Sequence, residues 1–494
     1  MMPTVSELMA KNISNAQANI QAWGNVIYNV KAHGAKGDGK TDDTNAIQEC
    51  IDKAKAAGGG VVYFPAGTYM VSGLELKSDV VLQGAGKDAT IIKLIDDSNQ
   101  HVVYTTNFDE LVGTSPSEGD YGVAGAGLRY LKIDGNGDKQ TKEKHGLAYF
   151  GIDCVLEDVA ITNARGWGIY REAPGVWYQP GGWSAYGRNA QDDIRYIEVY
   201  ENWMGNFYYN GQSDSTLVSV LCYRVRGTKE SIPGLANLWI GPKSNGMRLF
   251  GAHCWGDSDY GIVNEALLAT FTNCHVESAA VAKVWVKAPI MFYGRVYEVA
   301  SNTAAPAFMI EPGFAGNKII AAISNCKIAV RFVGSDAGYG LYDITQYSSD
   351  VESELFVFGT GGLGNTNIVR AQLYGANSKN VFVTPYIRQV PGSPIQYHTN
   401  GENHVFYTGG NSPQFSIDNV VNNNAYIAVA GSNDGPGPAI LVRGGTQENL
   451  DLRLIPKGDG KVRFGTYTSG SGSISGYIEI KDSSGIVRKL AVIS

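Results

Sequence analysis

"AHGAKGDGKTDDTNAIQECIDKAKAAGGGVVYFPAGTYMV", residues 32–71, runs through two periods in succession. Its middle is helical: Ala46, Ile47, Cys50, Ile51 and Ala54 recur at three- and four-residue spacing and form one apolar stripe. Thr41 or Asp42 stands where an N-cap is needed, and Asp43 complements the positive end of the helix dipole. Gly58-Gly59-Gly60 then ends the helix. From Val61 the period is that of strands. Val61–Pro65, Thr68–Val71 and Val80–Gln83 are short, rich in β-branched residues, and bounded by Gly or Pro.

The whole chain has that character. At 494 residues it exceeds what one compact core supports, so it is several domains or a solenoid. Its 62 glycines are well above the usual share, and its 28 tyrosines and 8 tryptophans add rings to a chain of short strands and tight turns. A net charge of −7 with no basic cluster speaks against nucleic acid. The six cysteines (Cys50, Cys154, Cys222, Cys254, Cys274, Cys326) form no CxxC pair and read as small apolar core residues. Met1–Gln21 has no apolar stretch fit for a signal peptide or a membrane span, so neither a classical leader nor membrane insertion is expected.

The opening, with "LKSDVVLQGAGKDATIIKL" after it, resembles the start of the pectate-lyase-like superfamily of right-handed β-helices. The motif elements are Asp38 to Thr44, Pro65 to Tyr69 and Leu82 to Gly86. The resemblance implies a cap and first coils here, with no catalytic role for Asp42 or Asp43. The superfamily includes lyases, hydrolases, epimerases and phage tailspikes, so the match bears on fold more than on chemistry.

A solenoid is expected independently further on. Strand segments stack on Ile161, Val199, Cys222, Cys254 and Cys274, with Cys326 a later member, at intervals of 38, 23, 32, 20 and 52 residues. Three strands of ~5 residues and three short turns take roughly 22 residues per coil. The intervals of 23 and 20 fit one coil, 52 fits two, and 38 and 32 are coils with insertions. These expectations make the chain all-β: a right-handed parallel β-helix over residues 26–408, preceded by short N-terminal helices. Residues 1–25 form a helical arm, with Val5, Leu8, Met9, Ile13, Ala16 and Ile20 at helical spacing. Residues 409–494 form a C-terminal β-rich module, in which Leu452 to Gly465 resembles a segment of phage tail spikes and fibres. That resemblance implies a homotrimer and a place in a virion tail or outside the cell, with the arm touching other tail or baseplate proteins.

The 38-residue interval carries Trp177, Tyr178, Trp183 and Tyr186 on a Gly/Pro-bounded loop, rings suited to the apolar faces of sugars. Stacking places Glu172, Asn210 and Glu265 in one column, and Asn202, Asp257 and Glu277 in another with Asp259 beside it. Coils lie ~4.8 Å apart, so carboxylates one or two coils apart approach the ~5–5.5 Å or ~6.5–9.5 Å of retaining or inverting glycosidases. The candidate acids and bases are therefore Asp257, Asp259, Glu265 and Glu277, then Glu201 and Glu172. Candidate substrate contacts add Arg171, Tyr209, Trp255, Arg224 and Arg226 to the loop aromatics. β-Elimination would draw instead on Arg165, Arg171, Arg224, Arg226, His253 and His275. No dense Asp cluster and no G-x-S-x-G occurs, so neither calcium nor an esterase triad is expected, and no cofactor or metal is assigned. The reading is a depolymerase of bacterial polysaccharide, hydrolysis ahead of elimination, with a non-cutting receptor-binding spike as the alternative.

Overall fold

A computed structural model describes residues 27–112, 122–172, 191–211, 214–227, 235–299, 305–311, 316–333 and 340–347, and beyond these the backbone of further strands up to 493. The helix expected in the opening spans Thr44–Ala56 and buries Ile47, Cys50, Ile51 and Ala54. Its N-cap is Asp43, later than expected, and that carboxylate accepts from Lys36 N and Gly37 N rather than from the helix. Asp42 receives Thr44 N instead.

Strands then pair in parallel with the segment one coil later, which makes the chain a right-handed parallel β-helix; right-handed crossovers are the rule for parallel strands. The coil has three faces, but two of them share one strand. Gly127–Asp134 pairs its first residues with Val80–Gly84 and its last with Thr90–Leu94. A left-handed residue at the middle makes the bend: Tyr130, Asp158, Tyr196, Ser219, Gly251 and Asn273 hold it in successive coils, with φ from 50° to 68°. A second column of left-handed residues turns each strand toward the third face: Asn163, Glu201, Arg224, Gly256, Ser278 and Asn325. Glu201 and Arg224, two of the candidate site residues, thus sit in a conformation that costs roughly 1–2 kcal/mol for a residue with a Cβ.

Behind that corner lies a buried amide ladder. Asn206 donates to Asn237 Oδ1 at 2.7 Å, Asn237 to Ser258 Oγ at 3.1 Å, and Asn202 to Asn206 Oδ1 at 2.9 Å. Each amide satisfies backbone groups that the corner leaves without a strand partner, as burial demands.

The interior is built of rows. Ile92, Ile133, Ile161, Val199, Cys222, Cys254, Val276, Val296 and Ile323 register one over the next, all nearly inaccessible. The expected row therefore holds through Cys254 and then departs: the residue over Cys254 is Val276, two positions beyond Cys274. The coil after Cys254 is longer than the spacing to Cys274 implies: register runs unbroken across the bend at Gly251, with Phe250 opposite Thr272 and His253 opposite His275, so Cys274 falls opposite Ala252. All six cysteines are free and buried, as their reading required. Burial pushes the Cys274 thiol up to about 12, so it is an apolar filler rather than a nucleophile.

The chain divides into two units at Pro394/Ile395. The second contains three antiparallel hairpins: His404–Tyr407 with Pro413–Ile417, Ala425–Ala430 with Ala439–Gly444, and Ile474–Lys481 with Val487–Ile493. The arm at residues 1–25 and the Leu452–Gly465 string lie outside the described residues. No helix among the described residues is long and apolar enough to cross a membrane.

Candidate functional site

The third face alternates strictly, and its outward rows carry the chemistry. Inward stand Ile169, Phe207, Leu238, Ile262, Val284 and Phe308. Outward, Tyr170, Tyr208, Trp239, Val263 and Trp285 follow one another coil by coil. His145 stacks on Tyr170 with centroids 4.6 Å apart, and Tyr170 on Tyr208 at 4.5 Å. Trp239 and Trp285 meet edge-on at 6.5 Å, and Lys287 lies over both rings. The result is a half-buried aromatic strip whose tyrosine faces are spent on each other and whose Trp285 is stacked on Tyr260 at 4.6 Å. Burial pushes the Tyr170 phenol up to about 12 and Tyr208 higher still, so both keep their protons at neutral pH.

Beside this strip runs a charged row: Glu172, Asn210, Gly241, Glu265, Lys287 and Glu311, continued by parallel backbone bonds from coil to coil. Glu172 is nearly buried and accepts from Asn210 Nδ2 at 2.8 Å and from Lys243 Nζ at 2.7 Å. Glu265 accepts from Trp239 Nε1 at 3.0 Å and pairs with Lys287. Glu311 accepts from Trp285 Nε1 at 2.9 Å. Five coil steps of ~4.8 Å make the row roughly 24 Å long, the reach of an oligosaccharide rather than one sugar.

The Glu172–Asn210–Glu265 column read from the sequence is thus a real column, and Glu172 and Glu265 stand three coils apart, roughly 14 Å, too far to act on one bond. The other column does not form. With Val276 over Cys254, Glu277 follows Trp255 in its row, and Asp257 is offset by two positions. The geometric ground for pairing Asp257 with Glu277 falls with that register. Asp257 is exposed, whereas Asp259 is buried at the corner, its carbonyl accepting from Val281 and Ala282, and offers no approach to a sugar.

Arg171 and Tyr209, taken as substrate contacts, point inward instead. Both are fully buried, one strand position from the outward residues, and alternation sends them to the core. Asp192 accepts from Arg171 Nε at 2.8 Å, Tyr209 Oη at 2.9 Å and Cys154 N at 2.9 Å, and the guanidinium lies between the rings of Tyr149 and Tyr209. This ion pair ties the coil just before residue 173 to the one just after residue 190. Trp177, Tyr178, Trp183 and Tyr186, between those points, lie outside the described residues.

The remaining candidates are at the second face and its corner. Arg224 and Glu201 are an exposed pair at 3.5 Å. Arg226 bonds Asp138 at 2.9 Å and Asn163 Oδ1 at 2.7 Å. Trp255 caps a stack of Tyr200 and Tyr223, its ring 4.2 Å from Tyr223, so one face is already covered. Sequence reading missed Lys243, Trp239, Lys287, Trp285 and Glu311. The i, i+2 alternation in Trp285-Val286-Lys287, and the same outward parity at Trp239, Gly241 and Lys243, was the signal that could have found them.

Residues 27–169 match the family model described as rhamnogalacturonase A/epimerase, pectate lyase-like. The pectate-lyase-like resemblance read in the opening is thereby shown over those residues. Alginate lyase 7 of Azotobacter vinelandii is 46% identical over 129 residues, 24% of this chain and 14% of that protein. A mannuronan C5-epimerase of the same organism, AlgE4, is 43% identical over 209 residues, 40% of this chain and 34% of the epimerase. The pre-neck appendage protein of Bacillus phage phi29 is 34% identical over 145 residues, 27% of this chain and 16% of the phage protein. The chain therefore spans about a third or less of the length of these relatives.

Proposed function

We propose that this chain is a tailspike-like depolymerase that binds a bacterial surface polysaccharide along the third face and cleaves it at a uronate by β-elimination. The observation that carries the reading is the Glu172–Asn210–Lys243 group beside protonated Tyr170 and Tyr208 on an outward strip long enough for several sugars. Elimination needs a positive charge against the uronate carboxylate, a base for the proton at C5, and an acid for the leaving oxygen. Lys243 supplies the charge and the Glu172 carboxylate the base. The electron pair left at C5 forms the C4–C5 double bond as the C4–O bond breaks, and a tyrosine phenol protonates the departing oxygen. The part-length likeness to an alginate lyase and a mannuronan epimerase favours a uronate polymer. Hydrolysis is less well supported, since Asp257 and Glu277 do not share a column and Glu172 and Glu265 stand too far apart.

The likeness to a phage appendage protein favours a homotrimer on a virion tail, with the hairpin-rich second unit as the trimer-forming module and the N-terminal arm as the link to other tail proteins. The test is a panel of bacterial capsular and exopolysaccharides incubated with the full chain. An ultraviolet-absorbing unsaturated uronate is expected, lost on Glu172→Gln with binding retained, and lost on Lys243→Met with binding weakened. New saturated reducing ends would replace elimination by hydrolysis, and binding without any product would make the chain an adhesin.

A further inference from the structure

The second face carries a separate group of ligating side chains. His253 and His275 occupy paired register positions one coil apart, and their rings stack with centroids 4.6 Å apart and planes 2° from parallel. Glu277, two residues beyond His275 on the same outward side, turns back toward both. Its Oε1 lies 3.1 Å from His253 Nε2 and 3.3 Å from His275 Nε2. The three ligand atoms lie within 4.8 Å of one another, and all three side chains are partly open to solvent.

Those separations suit a metal. Ligand atoms at ~2.0–2.1 Å from a tetrahedral zinc ion are about 3.3 Å from each other. The two nitrogen–oxygen distances, 3.1 and 3.3 Å, are already there, whereas the imidazoles must tilt out of parallel so that their in-plane Nε2 lone pairs converge on one ion. Register supplies the juxtaposition: paired positions one coil apart hold the two rings side by side, and the Glu277 carboxylate bridges them. Trp255 packs against His253 with ring centroids 4.4 Å apart and helps hold that ring. Two imidazoles and one carboxylate are the wrong donors for calcium, which takes six or more oxygens, and the right ones for zinc, cobalt or nickel.

We propose that His253, His275 and Glu277 form a three-ligand site for a first-row divalent transition ion of the zinc class, with its fourth position open to solvent. That open position would take water or an oxygen of a bound saccharide. Arg295 follows His275 in the same row and is exposed, so an anionic group bound beside the ion would find a second positive partner.

The test uses the full chain without a histidine tag, stripped with chelator and titrated calorimetrically with Zn2+, with Co2+ absorption as an independent report on geometry. One equivalent is expected, with the intense visible band of four-coordinate cobalt. His275→Ala and Glu277→Gln should each weaken binding at least tenfold and abolish that band, while His398→Ala and His404→Ala leave both unchanged. Circular dichroism and melting temperature of each variant guard against misfolding, and His275→Gln provides a milder replacement of the same ligand. Wild-type binding below half an equivalent, or Zn2+ affinity and cobalt spectra unchanged in both ligand variants, would overturn the proposal.

Discussion

Replacing Asp192 by alanine should destabilise the coils around the 173–190 insertion more than any exposed substitution on this chain. The side chain is fully buried and accepts three bonds, from Arg171 Nε, Tyr209 Oη and Cys154 N, at 2.8–2.9 Å. Its removal leaves two neutral buried donors, each costing roughly 1–3 kcal/mol when unsatisfied, and one guanidinium without its counter-charge. Burial alone would draw the Arg171 pKa down; the negative charge of Asp192 more than reverses this. Arg171 keeps its bonds to the carbonyls of Glu172 at 2.7 Å and Gly151 at 2.6 Å, which limits the damage. The net expectation is the roughly 3–5 kcal/mol typical of breaking one side of a buried ion pair. Asp192→Asn preserves shape and one acceptor, and should cost about 2 kcal/mol. A solenoid need not unfold in one step, so the assay is amide hydrogen exchange read by segment. Protection in Val155–Thr162 and Asp193–Tyr200 should fall while Asn317–Ser324 is unchanged. If Asp192→Ala exchanges like wild type there, within about 1 kcal/mol, the pair does not anchor the insertion and the argument for its role fails.

Acid should destabilise the first coils, beginning below about pH 6.5. Burial holds His101 down at about 4 from an ordinary 6.5, and its Nδ1 is committed as acceptor to His145 N. Folding therefore excludes a proton that the unfolded chain binds: stability is full above pH 6.5 and declines as pH falls toward 4, by about 2 kcal/mol at pH 5. A melting temperature equal at pH 7.5 and pH 5 would contradict this, and His101→Gln should reduce the difference without abolishing it, because burial also holds the neighbouring His145 imidazole well below its usual range. Gly211→Ala should destabilise by about 1–3 kcal/mol, because its Cβ would be driven into the Arg171 guanidinium; an unchanged denaturation midpoint would show that the interior gives way easily. On the third face, Trp239→Ala removes a ring and the indole donor of Glu265, and should weaken oligosaccharide binding about tenfold, roughly 1.4 kcal/mol, without shifting the melting temperature comparably. Equal affinity for the variant by calorimetry would move the saccharide off this strip.

What could be read from the chain divides along the two kinds of row. Interior rows show in the sequence because burial restricts them to a few apolar types: Ile161, Val199, Cys222 and Cys254 register as their spacing implies. The slip at Cys274 shows how little that restriction fixes. Cys274 and Val276 are both buried and both acceptable, two positions apart on the same strand, and only the length of the coil decides which lies over Cys254. The bend is set by left-handed residues, and these carry almost no signature here, since Tyr130, Tyr196 and Ser219 serve as readily as Asn273 or Gly251. A shift of two keeps every side chain on its own side of the sheet, so it leaves the hydrophobic pattern intact while moving an outward carboxylate by a full pair of positions. That is why Glu277 left the proposed acid–base column and came instead to rest beside two histidines. The loss and the gain have one cause: a coil two residues longer than the spacing of the cysteines takes Glu277 out of the row of Asp257 and into that of Trp255, beside His253 and His275.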